Sequence, residues 1–229
     1  MISVVVPAYN EEEVITDFIY TFFRDFRPAS FELIVVDDGS TDRTKEILER
    51  LSKKHKQLKV ISYSPNRGLG HALKTGISSS RGKIIVTMDS DLSHPPSMIP
   101  DLLKELDGHQ AVIGSRYISA KRDSEYNHYM LSRLTNYFTR MVTATSHVKD
   151  VTSGFRAYKA SSIRKISTRE KGFEVEIEIL VKLLKEGAKV KEIPIPLIDR
   201  LKGESKFTMV RNGPRYVFSL AKIFFYRWL

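Results

Sequence analysis

The chain has 229 residues, no cysteine and a formal charge of +10, with 28% charged and 41% hydrophobic residues. That balance describes one large globular domain, or a domain with an extension, and excludes a disordered chain. The lack of cysteine excludes disulfides, thiolate zinc sites and cysteine nucleophiles and fits a reducing, cytosolic setting. The positive charge allows a polyanionic partner without choosing among nucleic acid, an anionic membrane surface and a phosphorylated substrate.

Ile2 to Val6 enters an apolar strand at once, without a basic leader or cleavage site, so no secretory signal is expected. Met1 to Asp107 then alternates apolar strands with helical stretches, the pattern of a parallel α/β sheet. SVVVPAYN ends the first strand in a loop, and Asn10 is expected to cap a helix carrying Glu11, Glu12 and Glu13 in its first turn. Val14, Ile15, Phe18, Ile19, Phe22, Phe23 and Phe26 recur at helical spacing and read as core. Glu32 to Asp37 is the second strand, and DDGSTDRTKEI turns through Gly39 into a helix from about Asp42. Lys59 to Tyr63 is the third strand, followed by the Gly-rich turn of PNRGLGHALKTG.

Ile84 to Val86 forms the fourth strand, and the chain then runs into MDSDLSHPP. In an extended backbone residues i and i+2 face the same side, so Asp89 and Asp91 are expected to present two carboxylates to one small volume. Such a pair suits a hard divalent ion, Mg²⁺ or Mn²⁺, whose shell substrate phosphates complete. The other reading is a polar turn before a helix, which Pro95 and Pro96 also fit. Pro7, Tyr9, Glu11, Asp37, Asp38, Asp89 and Asp91 all lie at the carboxyl ends of presumed parallel strands, where open α/β sheets bind ligands. Neither G-x-G-x-x-G after the first strand nor a P-loop is present. Asp38 is the kind of group that hydrogen-bonds a base or ribose, and it equally suits an Asx turn with Gly39.

From Gln110 the pattern changes: AVIGSRY is a strand ending in Arg116 and Tyr117, and Asn127 to His147 has a helical apolar face. That face holds Met130, Leu131, Leu134, Tyr137, Phe138, Met141 and Val142, while Ser132, Arg133, Asn136 and Arg140 lie off it; the helix rests either on the core or on a membrane surface. DVTSGFRAY reads as a turn-rich connection, and Glu174 to Gly187 as a helix. Val190 to Ile198 is β-like, with Pro194 and Pro196 confining it to an edge or an irregular strand. DRLKGESKF is a polar loop whose Arg200, Lys202 and Lys206 suit either phosphate clamping or simple solvation. The 16 residues from Pro214 interleave Tyr216, Val217, Leu220, Ile223, Phe224, Phe225 and Trp228 with Arg215, Lys222 and Arg227. With about 20 apolar residues needed to span a bilayer, this segment reads as an interfacial helix on anionic lipid or a helix docked on the domain or a partner subunit.

VVVPAYNEE, IVVDDGSTDRT, NRGLGHALKTG, MDSDLSHPP, GSRY, TSGFRAY and DRLKGESK, in this order, resemble the family 2 inverting glycosyltransferases, most closely the dolichyl-phosphate mannose synthases. The resemblance runs from Ile2 to about Phe207 and implies a Rossmann-like nucleotide-sugar-binding α/β fold of the GT-A type. Its mostly parallel sheet would carry a small antiparallel element, with residues 1–210 catalytic (1–109 nucleotide-binding, 110–210 acceptor) and 211–229 an amphipathic membrane-interfacial helix. The implied donor is GDP-mannose, the acceptor a dolichyl or polyprenyl phosphate, and the cofactor Mg²⁺ or Mn²⁺. Carried over by motif, base and ribose contacts fall on Pro7, Tyr9, Glu11, Val36 and Asp38, and the metal and diphosphate region on Asp89, Ser90, Asp91 and Ser93. Arg116, Arg200 and Lys206 align with positions that bind phosphates of donor or acceptor, and Ser132 and Arg133 with an acceptor-phosphate segment. His128 stands where relatives have Arg or Lys, and Glu176 where they have Gln.

The implied reaction inverts the anomeric carbon, with Asp91, Arg116, Arg200 and Lys206 as the catalytic set and Asp89 and Asp91 on the metal. The implied location is cytoplasmic, peripheral at the cytosolic face of a membrane. Within the family, membrane attachment comes from transmembrane helices or from an anchoring subunit, and this chain reads as a short form or a truncation before such helices. Rival readings keep the fold and change the donor to UDP-glucose or UDP-N-acetylglucosamine, or the acceptor to a sugar hydroxyl with Glu174, Glu176 or Glu178 as base, although all three equally read as solvated helix charges. A non-catalytic nucleotide-sugar-binding module is a further alternative. A nucleic-acid partner is not expected, because outside the C-terminal segment no basic residues interleave with aromatics along an exposed stripe.

Overall fold

Short β-branched runs separated by amphipathic segments fold as their periodicity dictates: β1 (Ile2–Ala8), α1 (Ile15–Asp25), β2 (Phe31–Asp37), α2 (Thr44–Ser52), β3 (Leu58–Ser62), α3 (Leu69–Ser79) and β4 (Ile84–Thr87). A 3₁₀ turn (Pro96–Met98) leads into α4 (Ile99–Lys104) and β5 (Ala111–Ser115). Then follow α5 (136–142), β6 (Arg156–Lys159), α6 (Ala160–Ile163), α7 (Val175–Lys185), β7 (Val190–Pro194) and α8 (218–225). The structure is a computed structural model and describes residues 1–118, 136–143, 145, 147–196 and 218–225.

The seven strands make one sheet in the order β3-β2-β1-β4-β6-β5-β7. β1 lies at its centre, parallel to β2 on one side and β4 on the other, and β2 is parallel to β3. β6 runs antiparallel between β4 and β5, and β7 pairs parallel with β5 at the edge. Both faces are covered, so the central strands are apolar throughout. Val4, Val6, Leu33, Val35 and Val86 face α1, α2 and α4, while Val5, Ile85, Ala111 and Tyr158 face α3, α6 and α7. Pro194 ends the edge strand, where its missing N–H costs no ladder bond.

Four expectations change. DVTSGFRAY is not wholly a connection, because Arg156 to Lys159 is the antiparallel strand; a fully buried arginine at its start hides the strand pattern. Asn10 does not cap α1. It sits at φ 52, its Oδ1 accepts the Thr41 N–H at 2.8 Å, and the Glu11 carbonyl accepts the N–H groups of Val14 and Ile15 in a turn that leads into the helix. On α5 the polar positions face inward: Asn136, Thr139 and Thr143 are buried, whereas Tyr137, Phe138 and Met141 are exposed. The C-terminal helix docks on the domain through one side, where Leu220 and Ile223 pack on Ile177 and Val181 of α7, while Phe218 and Phe225 stay exposed.

Helix α3 lies against the sheet so closely that a Cβ at Gly76 would come 2.3 Å from Val5 Cγ1 and 3.2 Å from Val36 Cγ2. Helix propensity alone favours Gly76→Ala by about 1 kcal/mol. Overpacking against the central strand costs about 1–3 kcal/mol and should win. Urea unfolding of Gly76→Ala is therefore expected to show net destabilisation; a stabilised variant would mean that α3 can move off the sheet.

Candidate functional site

The carboxyl ends of β2, β1 and β4 meet where the strand order reverses direction about β1, the usual ligand crevice of an open α/β sheet. Pro7 lies near the end of β1, and Tyr9 follows in the bend beyond it, half-buried. The Glu11 N–H donates to Thr44 Oγ1 at 2.8 Å, which ties this loop to the start of α2. Val36 is fully buried in β2 among Ile34 and Ala72. Asp38 is buried too, and it forms no turn with Gly39. Its two carboxylate oxygens accept the N–H groups of Arg67 at 2.9 Å and Gly68 at 2.8 Å, while Asp37 Oδ1 takes the Ser40 N–H. Asp38 thereby fixes the Gly-rich loop before α3. Gly68 there adopts φ +92, and a Cβ on it would strike the Lys171 carbonyl at 2.4 Å.

Beyond Thr87 the chain leaves the extended conformation, so Asp89 and Asp91 do not share a strand face as the i, i+2 spacing predicts. They occupy a tight bend with Leu92 at φ 62. Asp91 is buried, and its Oδ1 accepts the N–H of Ser93 at 3.0 Å and the Ser93 hydroxyl at 2.6 Å. Ser90 is buried beside it. Asp89 is 40% exposed, packs on the bare Cα of Gly154 and lies 3.7 Å from Nδ1 of buried His94. His94 stacks on Phe155 at 5.2 Å. Burial holds its imidazole below the ordinary pKa, outweighing the opposing pull of Asp89 and Asp91. Both aspartates thus act on one buried ring. Among the described residues no third His, Cys, Asp or Glu completes a metal-binding group with them. This donor set of two carboxylates fits a hard cation that draws its other oxygens from a diphosphate and water.

Arg116 follows β5 and reaches toward the same end of the sheet, where the Asp89 charge helps to raise its pKa. Burial opposes the guanidinium, but the Asp150 carboxylate more than compensates. Nε donates to Asp150 Oδ2 at 2.8 Å and Nη2 to Oδ1 at 3.0 Å, and Nη2 also reaches Thr152 Oγ1 at 2.9 Å. Asp150 is fully buried, and despite that burial Arg116 keeps its carboxyl below the usual range. Arg200, Lys206, Ser132, Arg133 and His128 lie outside the described residues.

The α7 carboxylates, expected as solvated charges or as a base, are all buried. Glu178 accepts the N–H groups of Arg169 and Glu170 and the Lys182 ammonium at 2.6 Å, which commits it to local structure. Glu176 is different. Arg156 Nη1 bonds its main-chain carbonyl at 2.7 Å and stands 3.4 Å from Oε2, which accepts no hydrogen bond. Burial pushes the Glu176 carboxyl up to about 7, with Arg156 opposing and Asp89 adding to the rise. Asp150, His94 and Arg156 were not among the expected site residues. For Asp150 the available signal was an acid two residues before a threonine in a turn that follows a strand-end arginine, a pattern too common to stand out.

The family described as Glycosyl transferase family 2 matches residues 3–167. The chain is 33% identical over 209 residues to the dolichol-phosphate mannosyltransferase of Pyrococcus furiosus, covering 90% of this chain and 58% of that protein. It is 31% identical over 218 residues to the dolichol-phosphate mannosyltransferase of Saccharomyces cerevisiae, covering 90% and 80%. Among solved structures it is similar to glucosyl-3-phosphoglycerate synthase from Mycobacterium tuberculosis bound to Mn²⁺, UDP and phosphoglyceric acid. The TM-score is 0.77 at 23% identity, over 98% of this chain and 78% of that one, a likeness of fold.

The Glu176 environment makes stability depend on pH in a definite sense. A carboxyl raised from 4.5 to about 7 favours the folded state fully below pH 4.5, and that contribution is lost as pH rises through about 7. Glu176→Gln removes the penalty, so the variant is expected to be more stable than the parent by ~3 kcal/mol at pH 8, with the gain vanishing near pH 4.5. Chemical unfolding at the two pH values checks it; a variant less stable at pH 8 would mean that Arg156 holds Glu176 ionised.

Proposed function

The chain belongs to glycosyl transferase family 2, and we propose that it transfers mannose from GDP-mannose to a dolichyl or polyprenyl phosphate with inversion at the anomeric carbon. The observation that carries this reading is the likeness to two dolichol-phosphate mannosyltransferases, each across 90% of the chain. The paired acids at the end of β4, facing a held arginine at the end of β5, support it.

An oxygen of the acceptor phosphate attacks the anomeric carbon from the face opposite the leaving group. The bond from that carbon to the diphosphate oxygen breaks, and GDP departs with the electron pair. A phosphate monoester has its second pKa near about 6, so the nucleophile is already an anion and needs no protein base. The work left to the protein is in-line placement and neutralisation of charge. Pro7, Tyr9, Glu11, Val36 and Asp38 line the end of the sheet proposed for base and ribose; Val36 and Asp38 contribute by main chain and by loop shape, because their side chains are already engaged. Asp89 and Asp91, with Ser90 and Ser93 in the same bend, would hold Mg²⁺ or Mn²⁺, which when bound offsets charge on the departing diphosphate. Both ions occur with UDP in the mycobacterial synthase of similar fold. Arg116 donates to phosphate oxygens; Arg200 and Lys206 are proposed to close over the same charge, and Ser132 and Arg133 to receive the acceptor phosphate.

The lipid acceptor implies work at a bilayer surface, at the cytosolic face in this reading. Among the described residues no helix is long and apolar enough to cross a membrane. The exposed Phe218 and Phe225 of α8, with the Lys222 ammonium 4.6 Å above the Phe218 ring, offer an aromatic and basic contact with anionic headgroups. An anchoring subunit would serve the same end.

Purified protein given Mg²⁺ or Mn²⁺, a short polyprenyl phosphate and each labelled donor in turn should form lipid-phosphate mannose from GDP-mannose. Products from UDP-glucose or UDP-N-acetylglucosamine alone, or transfer to a sugar hydroxyl, would replace this reading. Asp91→Asn is expected to cut turnover ~100-fold or more without unfolding the protein. Phe218→Ser combined with Phe225→Ser should weaken sedimentation with anionic vesicles by about tenfold or more while the melting temperature holds; unchanged binding would remove α8 from the contact.

A further inference from the structure

We infer that Asp150 is a positioning residue that sets the guanidinium of Arg116 in one orientation before any phosphate arrives, an inference that rests on the phosphate role proposed for Arg116. The geometry is that of a braced donor. Asp150 grips Nε and Nη2 as a fork at 2.8 and 3.0 Å, and Oδ2 also takes the Arg116 main-chain N–H at 3.1 Å. Thr152 Oγ1 supports Nη2 and in turn donates to Asp150 Oδ1 at 3.1 Å. The brace is itself braced. Glu192 on β7 accepts the N–H groups of Lys149 and Asp150 at 2.7 and 2.8 Å, and Asn136 on α5 accepts the Val151 N–H at 3.0 Å and donates to the Lys149 carbonyl.

A side-on carboxylate pair through Nε and Nη2 leaves Nη1 of the arginine available to a ligand. Here Nη1 has no hydrogen-bond partner among the described residues, and the side chain is 26% exposed while Asp150 is 0% exposed. One edge of the fork is spent on Asp150 and Thr152, and the Asp89 charge is felt at the same guanidinium. Arginine side chains carry about 2 kcal/mol of rotamer entropy, so an arginine fixed in advance loses less on binding than a loose one. The pair is electrically close to neutral, so its gain comes from direction and order rather than from bulk attraction.

The test is a double-mutant cycle on Arg116→Ala and Asp150→Asn, read as affinity by calorimetry with two probes, GDP with Mg²⁺ and farnesyl phosphate. If Asp150 acts through Arg116, the probe weakened by Arg116→Ala is weakened about tenfold by Asp150→Asn as well, and the double variant binds no worse than the worse single one. Thr152→Val, which removes no charge and should fold normally, gives a smaller loss of the same probe. Millimolar guanidinium added to Arg116→Ala should restore part of the binding only while Asp150 remains, a rescue that a structural role would not produce. Losses that multiply, rescue that persists without Asp150, or an Asp150→Asn protein that folds and binds both probes normally would overturn the inference. If Arg116→Ala itself changes neither probe, both the inference and the phosphate role of Arg116 fall, while sugar transfer by the unaltered protein remains a separate measurement.

Discussion

Arg156 is the largest fully buried side chain among the described residues, and its guanidinium spends its hydrogens on main-chain carbonyls. Nε donates to Ser153 at 2.7 Å, Nη2 to Val151 at 2.8 Å and Nη1 to Glu176 at 2.7 Å. A buried charge is tolerated only when such partners surround it, and removing one partner is costly because the charge stays behind. Arg156 also sits in β6 opposite Thr87, the last residue of β4, and the Thr87 hydroxyl donates to the Gly154 carbonyl at 2.8 Å. One side chain therefore locks together the strand that ends in the D-x-D bend, the 151–154 loop and the start of α7. The neighbouring positions follow from that lock. A Cβ at Gly154 would come 3.3 Å from Asp89 Oδ1, so a larger residue there would press on that carboxylate.

The charges at this end of the sheet are arranged by how deeply each is held. Asp38, Asp91 and Asp150 are buried and accept hydrogen bonds from the protein, so their positions are set by main chain and neighbouring hydroxyls. Asp89 and Arg116 are partly exposed, and they have opposite signs. A chain with an excess of ten positive charges would bind polyanions loosely over much of its surface. Order at a few positions is what separates such attraction from the alignment that the proposed sugar transfer between two phosphates needs.

Much of the first half could be read from the sequence because apolar period and strand length agree there: β1, β2, β3 and β4 fall within one or two residues of their expected bounds. The edge position of β7 followed from its prolines. The site's ends were legible through the D-x-D run, but its geometry was not, since a bend after Thr87 replaces the extended backbone that i, i+2 spacing assumes. The second half was harder for a physical reason. Its order depends on buried polar groups that sequence patterns count as surface: Arg156 in a strand, the glutamates of α7, and Asn136, Thr139 and Thr143 turned inward on α5. Each is satisfied by partners distant in sequence, which periodicity cannot register.

The inverted face of α5 links the two halves of the proposed chemistry. Because Asn136 binds both the Lys149 carbonyl and the Val151 N–H, the polar side of the helix must face the domain, and Tyr137, Phe138 and Met141 are left outward as a consequence. An apolar face turned to water is unfavourable and calls for a compensating role; the proposed lipid surface would supply one, as it would for Phe218 and Phe225 on α8. Val142 packs on the same apolar cluster as Leu220 and Ile223, so α5 and α8 rest on a common support. The loop that Asn136 holds is the one that carries Asp150 and so orients Arg116. The same hydrogen bonds that turn α5 outward also brace the guanidinium, and the direction of one constrains the direction of the other.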